Sequence, residues 1–450
     1  MSTQIATGEQ RPEHAGQLLQ ILGVTFGVAI TVGGTIGVGI LRTPGSVAAA
    51  LGNTWLIVGA WVLGGIYALL GTIAVAELAT SLPQAGGWYV YARRAFGEYG
   101  GFTVGWINWV SFCTGLGAIV VGMGEYGAKL MPVVYGGALT ISLVALLLFF
   151  VLHWSGLRVG CRAQEIMCAA SAIGFFVLIA ACFLLGGRGA SAETAQTVVA
   201  VPATMAALLL AVALAFQSVI FTYDGWYGAI YFSEENTDPD RSLPTSMIGS
   251  VLVIIAIYLL VNVALLYVLP MPVLAGSQLA AADAASRIFG ENGGTVVTTI
   301  AFLSLLCITN ASLMQTPRIL FAMGRDELFF SGASHVNKRG TPDVALFITT
   351  AAVAGLMLVG SFDRLLAITS FFFVAMYLSG FIALIALRKR EPDLPRPFRT
   401  LGYPWTVHIL IGLSVVFLVG VLISDPQNSL LAVAALLISY PVYRIVKRLK

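Results

Sequence analysis

Two short stretches place residues that free backbone polar groups in the middle of apolar segments. One is TVGGTIGVGILRTPG at residues 31–45, and the other is AFQSVIFTYDGWYG at residues 215–228. Gly33, Gly34, Gly37 and Gly39 leave helical geometry at little cost, and Pro44 shortens the helix after the break. A helix broken in this way bares N–H donors at the start of its second half and C=O acceptors at the end of its first. Bare amides at a helix N-terminus hold a carboxylate, while bare carbonyls accept from an ammonium group. Used together, the two stretches suit a zwitterionic amino acid. Glycines in an apolar span also permit close helix packing, but the feature comes twice, and that favours two breaks.

The elements that must position these stretches are membrane spans. The 450 residues are 58% hydrophobic and only 10% charged, far from the composition of a soluble domain. Apolar runs near the ~20 residues that cross the hydrocarbon core as a helix recur along the chain. We read twelve, at 21–48, 53–80, 102–130, 136–153, 164–186, 203–232, 246–269, 295–322, 344–360, 365–388, 405–423 and 428–446. No cleavable leader is read in the polar first 20 residues. The fold class is therefore an all-α polytopic membrane protein. An N-terminal tail (1–20) precedes a ten-helix core (21–388), then a basic, proline-rich linker (389–404), then two accessory helices and a C-terminal tail (405–450).

Lysine and arginine accumulate in cytoplasmic loops. With both termini inside, nineteen of the 24 Lys and Arg residues fall on the cytoplasmic side. The outer side receives Lys129, Arg188, Arg287 and Arg364, and Arg42 lies within the first span. The net charge of +3 is thus a topology signal and gives no reason to expect nucleic acid as a partner. The expected location is the cell membrane. The second stretch opens the second half of the ten-span unit. Five is odd, so the halves 21–186 and 203–388 sit inverted to each other, and matching breaks in inverted halves mark a transporter's binding site.

Other chemistries lack their parts. Cys113, Cys161, Cys168, Cys182 and Cys307 fall in or beside apolar spans and read as free thiols. His14, His153, His335 and His408 are scattered, so no metal site is expected. A potassium-type filter needs four converging copies, and TVGG occurs once. Tyr223-Asp224 resembles half of an intramembrane aspartyl protease site, but that chemistry needs two facing carboxylates, and Asp283 and Asp363 are read in loops. No enzyme is expected.

Several motifs in order along residues 30–345 resemble the amino acid-polyamine-organocation permeases, particularly their L-type amino acid transporter branch. Gly37-Val38-Gly39 with Pro44 is similar to the family's first-span break. AELATSLPQAGGWYVY at 76–91 resembles its pattern running into the first cytoplasmic loop. FTYDGW at 221–226, with Glu234, Glu235, Pro239, Arg241 and Pro244 after it, is similar to its sixth span and next loop, as are RILFAMGRD at 318–326 and GTPDVA at 340–345. The resemblance implies the leucine-transporter fold, a five-plus-five inverted repeat with broken first and sixth helices and two extra C-terminal helices. It implies an amino acid permease or exchanger working by alternating access. A polyamine or organic-cation transporter, or a sensor that binds without flux, is the alternative.

By the same resemblance the substrate lies against Thr35, Ile36, Gly37, Val38 and Gly39, and against Phe221, Thr222, Tyr223, Asp224 and Gly225, with Phe221 as a gate. Asp224 departs from the branch, which usually has glycine there. A charge at mid-membrane costs at least ~2.5–3.5 kcal/mol, which makes it a functional candidate. Asp224 can pair with a cationic substrate, carry a proton, pair with Arg42, or cap the second half-helix. Glu77 is expected to anchor a loop and Glu125 to reach the interface. Some relatives carry a fifth-span lysine in place of a sodium ion, and the matching position here reads as Ser171. Thr309, Asn310 and Ser312 offer oxygens to sodium, or bond to neighbouring helices. No cofactor is expected, sodium or proton coupling stays open, and so does an accessory subunit or oligomer.

Overall fold

A computed structural model describes residues 17–186, 204–359, 362–424 and 426–448. Arg11, His14, Arg188 and Lys450 lie outside the described residues, as do the side chains of Asp363 and Arg364. The first span is α1 (Val24–Thr35) and then α2 (Val38–Leu51), with Ile36 and Gly37 extended between them and the two axes bent by 45°. Then come α3 (Thr54–Ser81), α4 (Trp88–Leu130), α5 (Gly137–Trp154), α6 (Leu157–Leu185), α7 (Met205–Tyr223) and α8 (Pro239–Val268). Two short helices, α9 (Met271–Gly276) and α10 (Ala280–Phe289), precede α11 (Gly293–Arg325), α12 (Asp343–Val359), α13 (Phe362–Arg390), α14 (Trp405–Ser424) and α15 (Pro426–Arg448). Nine helices among the described residues are long and apolar enough to cross a membrane, and the bent α1–α2 pair makes a tenth. α12 and α15 occupy the positions of the other two expected spans.

The sixth span breaks at the expected place. α7 stops at Asp224, a turn covers 224–227, and the chain goes on as a 3-10 helix, Gly228–Glu235, instead of a second α-helical half. An eight-residue 3-10 run is unusually long and marks a strained or hinge-like connection.

Some boundaries differ from the expectation. The segment from Trp88 is helical where a loop was read, because α4 runs through to Leu130 with a kink at Gly97, whose φ of +82° suits glycine. α6 begins at Leu157, seven residues earlier than its apolar run suggests. The expected outer loop after residue 269 carries α9 and α10. α10 is too short for a span, but Ala280, Ala281, Ala284 and Ala285 recur at helical spacing and are all buried. Asp283 therefore sits on a helix, where it accepts a hydrogen bond from Ser277 Oγ.

α1 packs on α6, α8 and α11, and α2 packs on α7 and α9. One end of the bundle is closed by ion pairs. Glu235, fully buried, receives Arg318 through Nε (2.5 Å) and Nη2 (2.7 Å), and the same guanidinium stacks 4.1 Å from the Phe232 ring centroid. Glu234 pairs with Arg325 at 2.8 Å, and Asp326 pairs with Arg93 at 2.8 Å. The chain leading into α1 is stitched to this end, since Leu22 N–H donates to Glu235 O and Thr237 N–H donates to Leu22 O, both at 2.9 Å. Glu77 anchors a loop as expected, and that loop is the linker: Glu77 pairs with Arg388 (2.6 Å) and Arg396 (3.3 Å) and accepts from Thr400 N–H (2.7 Å). Glu391, at the start of that linker, is held below the usual carboxylate range by its bidentate hydrogen bonds from Arg94.

Candidate functional site

The two breaks meet. Tyr258 of α8 places its hydroxyl 3.0 Å from Thr35 O, at the end of α1, and 2.9 Å from Thr222 O, in the last turn of α7. Gly225 packs directly on the first break at a φ of +106°; a Cβ there would lie 2.6 Å from Gly34 O and 2.8 Å from Thr35 Oγ1. Only glycine satisfies both the backbone and the space. On the α2 side, Thr222 Oγ1 lies 2.8 Å from Thr43 Oγ1.

Between the breaks lies a cavity of about 520 Å³. Its floor is built by Gly34, Thr35, Gly37, Val38 and Gly39 from the first break and by Phe221, Thr222, Asp224 and Gly225 from the second. Its walls carry apolar groups such as Phe112 and Phe373, with Ser312, Gln315 and Gln217 as polar points, and it runs on to Arg42 and Glu125. The N-cap of α2 is Gly37, with no side-chain hydrogen bond to the first-turn amides. Those amides are the uncapped donors the sequence predicts, and they belong to residues that line the cavity.

Asp224 is half-buried on the cavity wall. Its carboxylate accepts from the Tyr377 hydroxyl, from Tyr227 and from the Gly225 N–H. It therefore caps the turn between α7 and the 3-10 helix, and no ion pair joins it to Arg42 or to another cation among the described residues. Tyr377 is packed by Trp226 (centroids 5.3 Å apart) and Trp88 (5.7 Å), so the start of α4 braces the second break.

Other expected residues are placed elsewhere. Ile36 is buried in the core, and Tyr223 turns away to donate to Trp61 O at 3.2 Å; neither lines the cavity. Ser171 bonds Ser304 at 2.9 Å and does not line the cavity. Gln164 of the fifth span reaches α1 through a side-chain hydrogen bond, and Cys168 packs against Gly33 one turn on. Gln164 Nε2 donates to Ala29 O (3.0 Å) and Cys307 Sγ (3.4 Å), and its Oε1 accepts from Asn310 Nδ2 (2.7 Å). Asn310 is thereby committed to a neighbouring helix. Thr309 is buried with no partner for its hydroxyl in the described residues, and Ser312 alone of the three eighth-span candidates lines the cavity.

Sequence reading missed Gln164, Tyr258 and Tyr377. Gln164 was placed at the boundary of its span, which hid that it faces inward two turns into α6. Tyr258 and Tyr377 are single hydroxyls inside long apolar runs, a pattern that resembles ordinary core tyrosine until the partners are known.

A broken-helix pair around a glycine-floored cavity fits the amino acid permease family, which matches residues 20–443. The chain belongs to that family. It is 30% identical over 437 residues to the serine/threonine exchanger SteT of Bacillus subtilis (strain 168), covering 95% of this chain and 97% of the relative. Similarity extends to the Asc-type amino acid transporter 1 of Mus musculus (27% over 431 residues, 94% and 80% covered). The large neutral amino acids transporter small subunit 2 of Homo sapiens is 28% identical over 442 residues, with 94% and 79% covered. The permease is thus a multi-pass membrane transporter of amino acids, and not an enzyme.

Proposed function

We propose that this permease carries an amino acid zwitterion between the two breaks and works as an exchanger. The substrate carboxylate sits on the first-turn amides of α2 behind Gly37, and the ammonium group faces the carbonyls at the C-terminal end of α7. Phe221 closes over the substrate from the α7 side. The observation that carries this reading is the meeting of the breaks: Tyr258 within hydrogen-bond distance of Thr35 O and Thr222 O, beside the cavity those residues line.

Exchange is supported by the SteT relative, an exchanger by name, and by the engagement of Asn310, an expected sodium ligand, with Gln164, which itself donates to Ala29 O of α1. Both termini are assigned to the cytoplasm by the Lys and Arg distribution. On that assignment the ion-paired end, with Glu235 and Arg318, is the inner gate, and the cavity leading to Arg42 faces outward. Asp224, with no cation paired to it among the described residues, supports a second reading in which the site favours a substrate bearing extra positive charge, a basic amino acid or a diamine.

Proteoliposomes loaded with labelled amino acid test the exchange reading. Efflux should require an external amino acid and should persist without sodium or pH gradients. Efflux into substrate-free buffer driven by a sodium or proton gradient would replace exchange with symport, and saturable binding with no flux would make the protein a sensor.

A further inference from the structure

A groove separate from the central cavity runs between the start of α1 and the start of α6. It is lined by Ile21, Leu22, Gly23, Val24, Thr25 and Phe26 on one side and by Arg158, Cys161, Arg162 and Glu165 on the other. Arg158 and Arg162 stand one turn apart on α6, are exposed, and have no ion-pair or hydrogen-bond partner among the described residues. Facing them is the N-terminus of α1, whose Gly23 N-cap makes no side-chain hydrogen bond, so the amides of the first turn have no side-chain acceptor among the described residues.

We propose that this groove binds the phosphate headgroup of an anionic phospholipid. Charge complementarity comes from two arginines and a row of bare amides converging on one volume, outweighing the single Glu165 carboxylate that also lines it. The apolar face of α6 beyond the arginines favours a lipid as the source of that phosphate. Residues 158, 162 and 166 repeat every fourth position and share a face, and Ile166 is 65% exposed, with Ile173 and Val177 also exposed further along α6. Ile21 and Val24 are exposed on the α1 side. An acyl chain laid along Ile166 and Ile173 keeps its phosphate beside Arg162 and Arg158, whereas a free anion gains nothing from that apolar stripe. The arginines also lie on the side assigned to the cytoplasm, where anionic lipids concentrate.

The test measures retention of phosphatidylglycerol by the purified full-length permease after transfer from phosphatidylcholine vesicles with and without that lipid. Each arginine near an anionic surface contributes about fivefold, so Arg158→Gln with Arg162→Gln should lower phosphatidylglycerol affinity about 25-fold while leaving phosphatidylcholine retention unchanged. Glu165→Gln should raise phosphatidylglycerol affinity several-fold, because it removes the opposing carboxylate. Equal retention by the parent and the double variant overturns the site. If the double variant does not fold, the Glu165→Gln arm decides alone, and no rise in affinity overturns it. Displacement of phosphatidylglycerol by excess inorganic phosphate would reassign the site to a free anion and overturn the lipid. None of these readouts involves flux, so they stand or fall independently of the transport reading.

Discussion

The Tyr258 hydroxyl lies 2.9 Å from the Thr222 carbonyl oxygen, a contact between the seventh span and the last turn before the second break. The same hydroxyl is 3.0 Å from Thr35 O at the first break. One side chain from an unbroken helix therefore holds both interruptions at a common depth. In lipid, bare carbonyls cost several kcal/mol each unless a partner or a wet cavity satisfies them, and Tyr258 supplies such a partner. Tyr258→Phe keeps the ring packing against Trp61 and Tyr223 but removes the tie. We expect the variant to reach the membrane and to exchange about tenfold more slowly, the scale of one lost buried hydrogen bond (~1–3 kcal/mol). Exchange at the parental rate would show that the breaks are held by packing alone.

Gly225→Ala tests the contact between the breaks. The added methyl meets Gly34 O at 2.6 Å in a backbone region that L side chains rarely adopt. Transport should fall below detection while expression stays within about twofold of the parent. The control is Gly249→Ala, where nothing lies within 4 Å of the added carbon; it should transport normally.

Asp224→Asn keeps the size of the side chain and removes its charge. Competition by arginine or lysine against labelled neutral amino acid should weaken by at least about tenfold, since hydrogen bonds to charged groups are worth ~1.5–3 kcal/mol. Competition by neutral amino acids should change little. Identical competition profiles for parent and variant would restrict Asp224 to capping its turn.

The buried pair between Arg318 and Glu235 makes an asymmetric prediction. Removing one partner of a buried ion pair leaves an uncompensated charge and costs ~3–5 kcal/mol. Arg318→Met should lower the melting temperature and increase labelling of a cysteine introduced in the 3-10 helix at Ser233, as the closed end loosens. The double change Arg318→Met with Glu235→Leu should recover most of the stability, because no lone charge remains. A single variant as stable as the parent would mean that water solvates the pair.

The sequence by itself determined the class of the protein, the two places where helices break and the role of Glu77 as a loop anchor, though not its partners. These come from local rules. Apolar length sets a span, glycine permits a break, and a lone glutamate near a span end such as Glu77 must find basic partners. The family resemblance also marked Gly37, Val38, Gly39, Phe221, Thr222 and Asp224, which line the cavity, but it marked Ile36 and Tyr223 as well, whose side chains pack away from it. Short helices such as α10 escaped notice, since the four buried alanines of α10 give a weak apolar signal and packing on α11 supplies what propensity does not. Which side chains from unbroken helices reach the site was decided only by the tertiary structure. Gln164 against Ala29, Tyr258 between Thr35 and Thr222, and Tyr377 on Asp224 all join residues far apart in sequence. The rotation of each helix about its own axis sets such contacts, and in a helix apolar on every side no hydrophobic periodicity records that rotation.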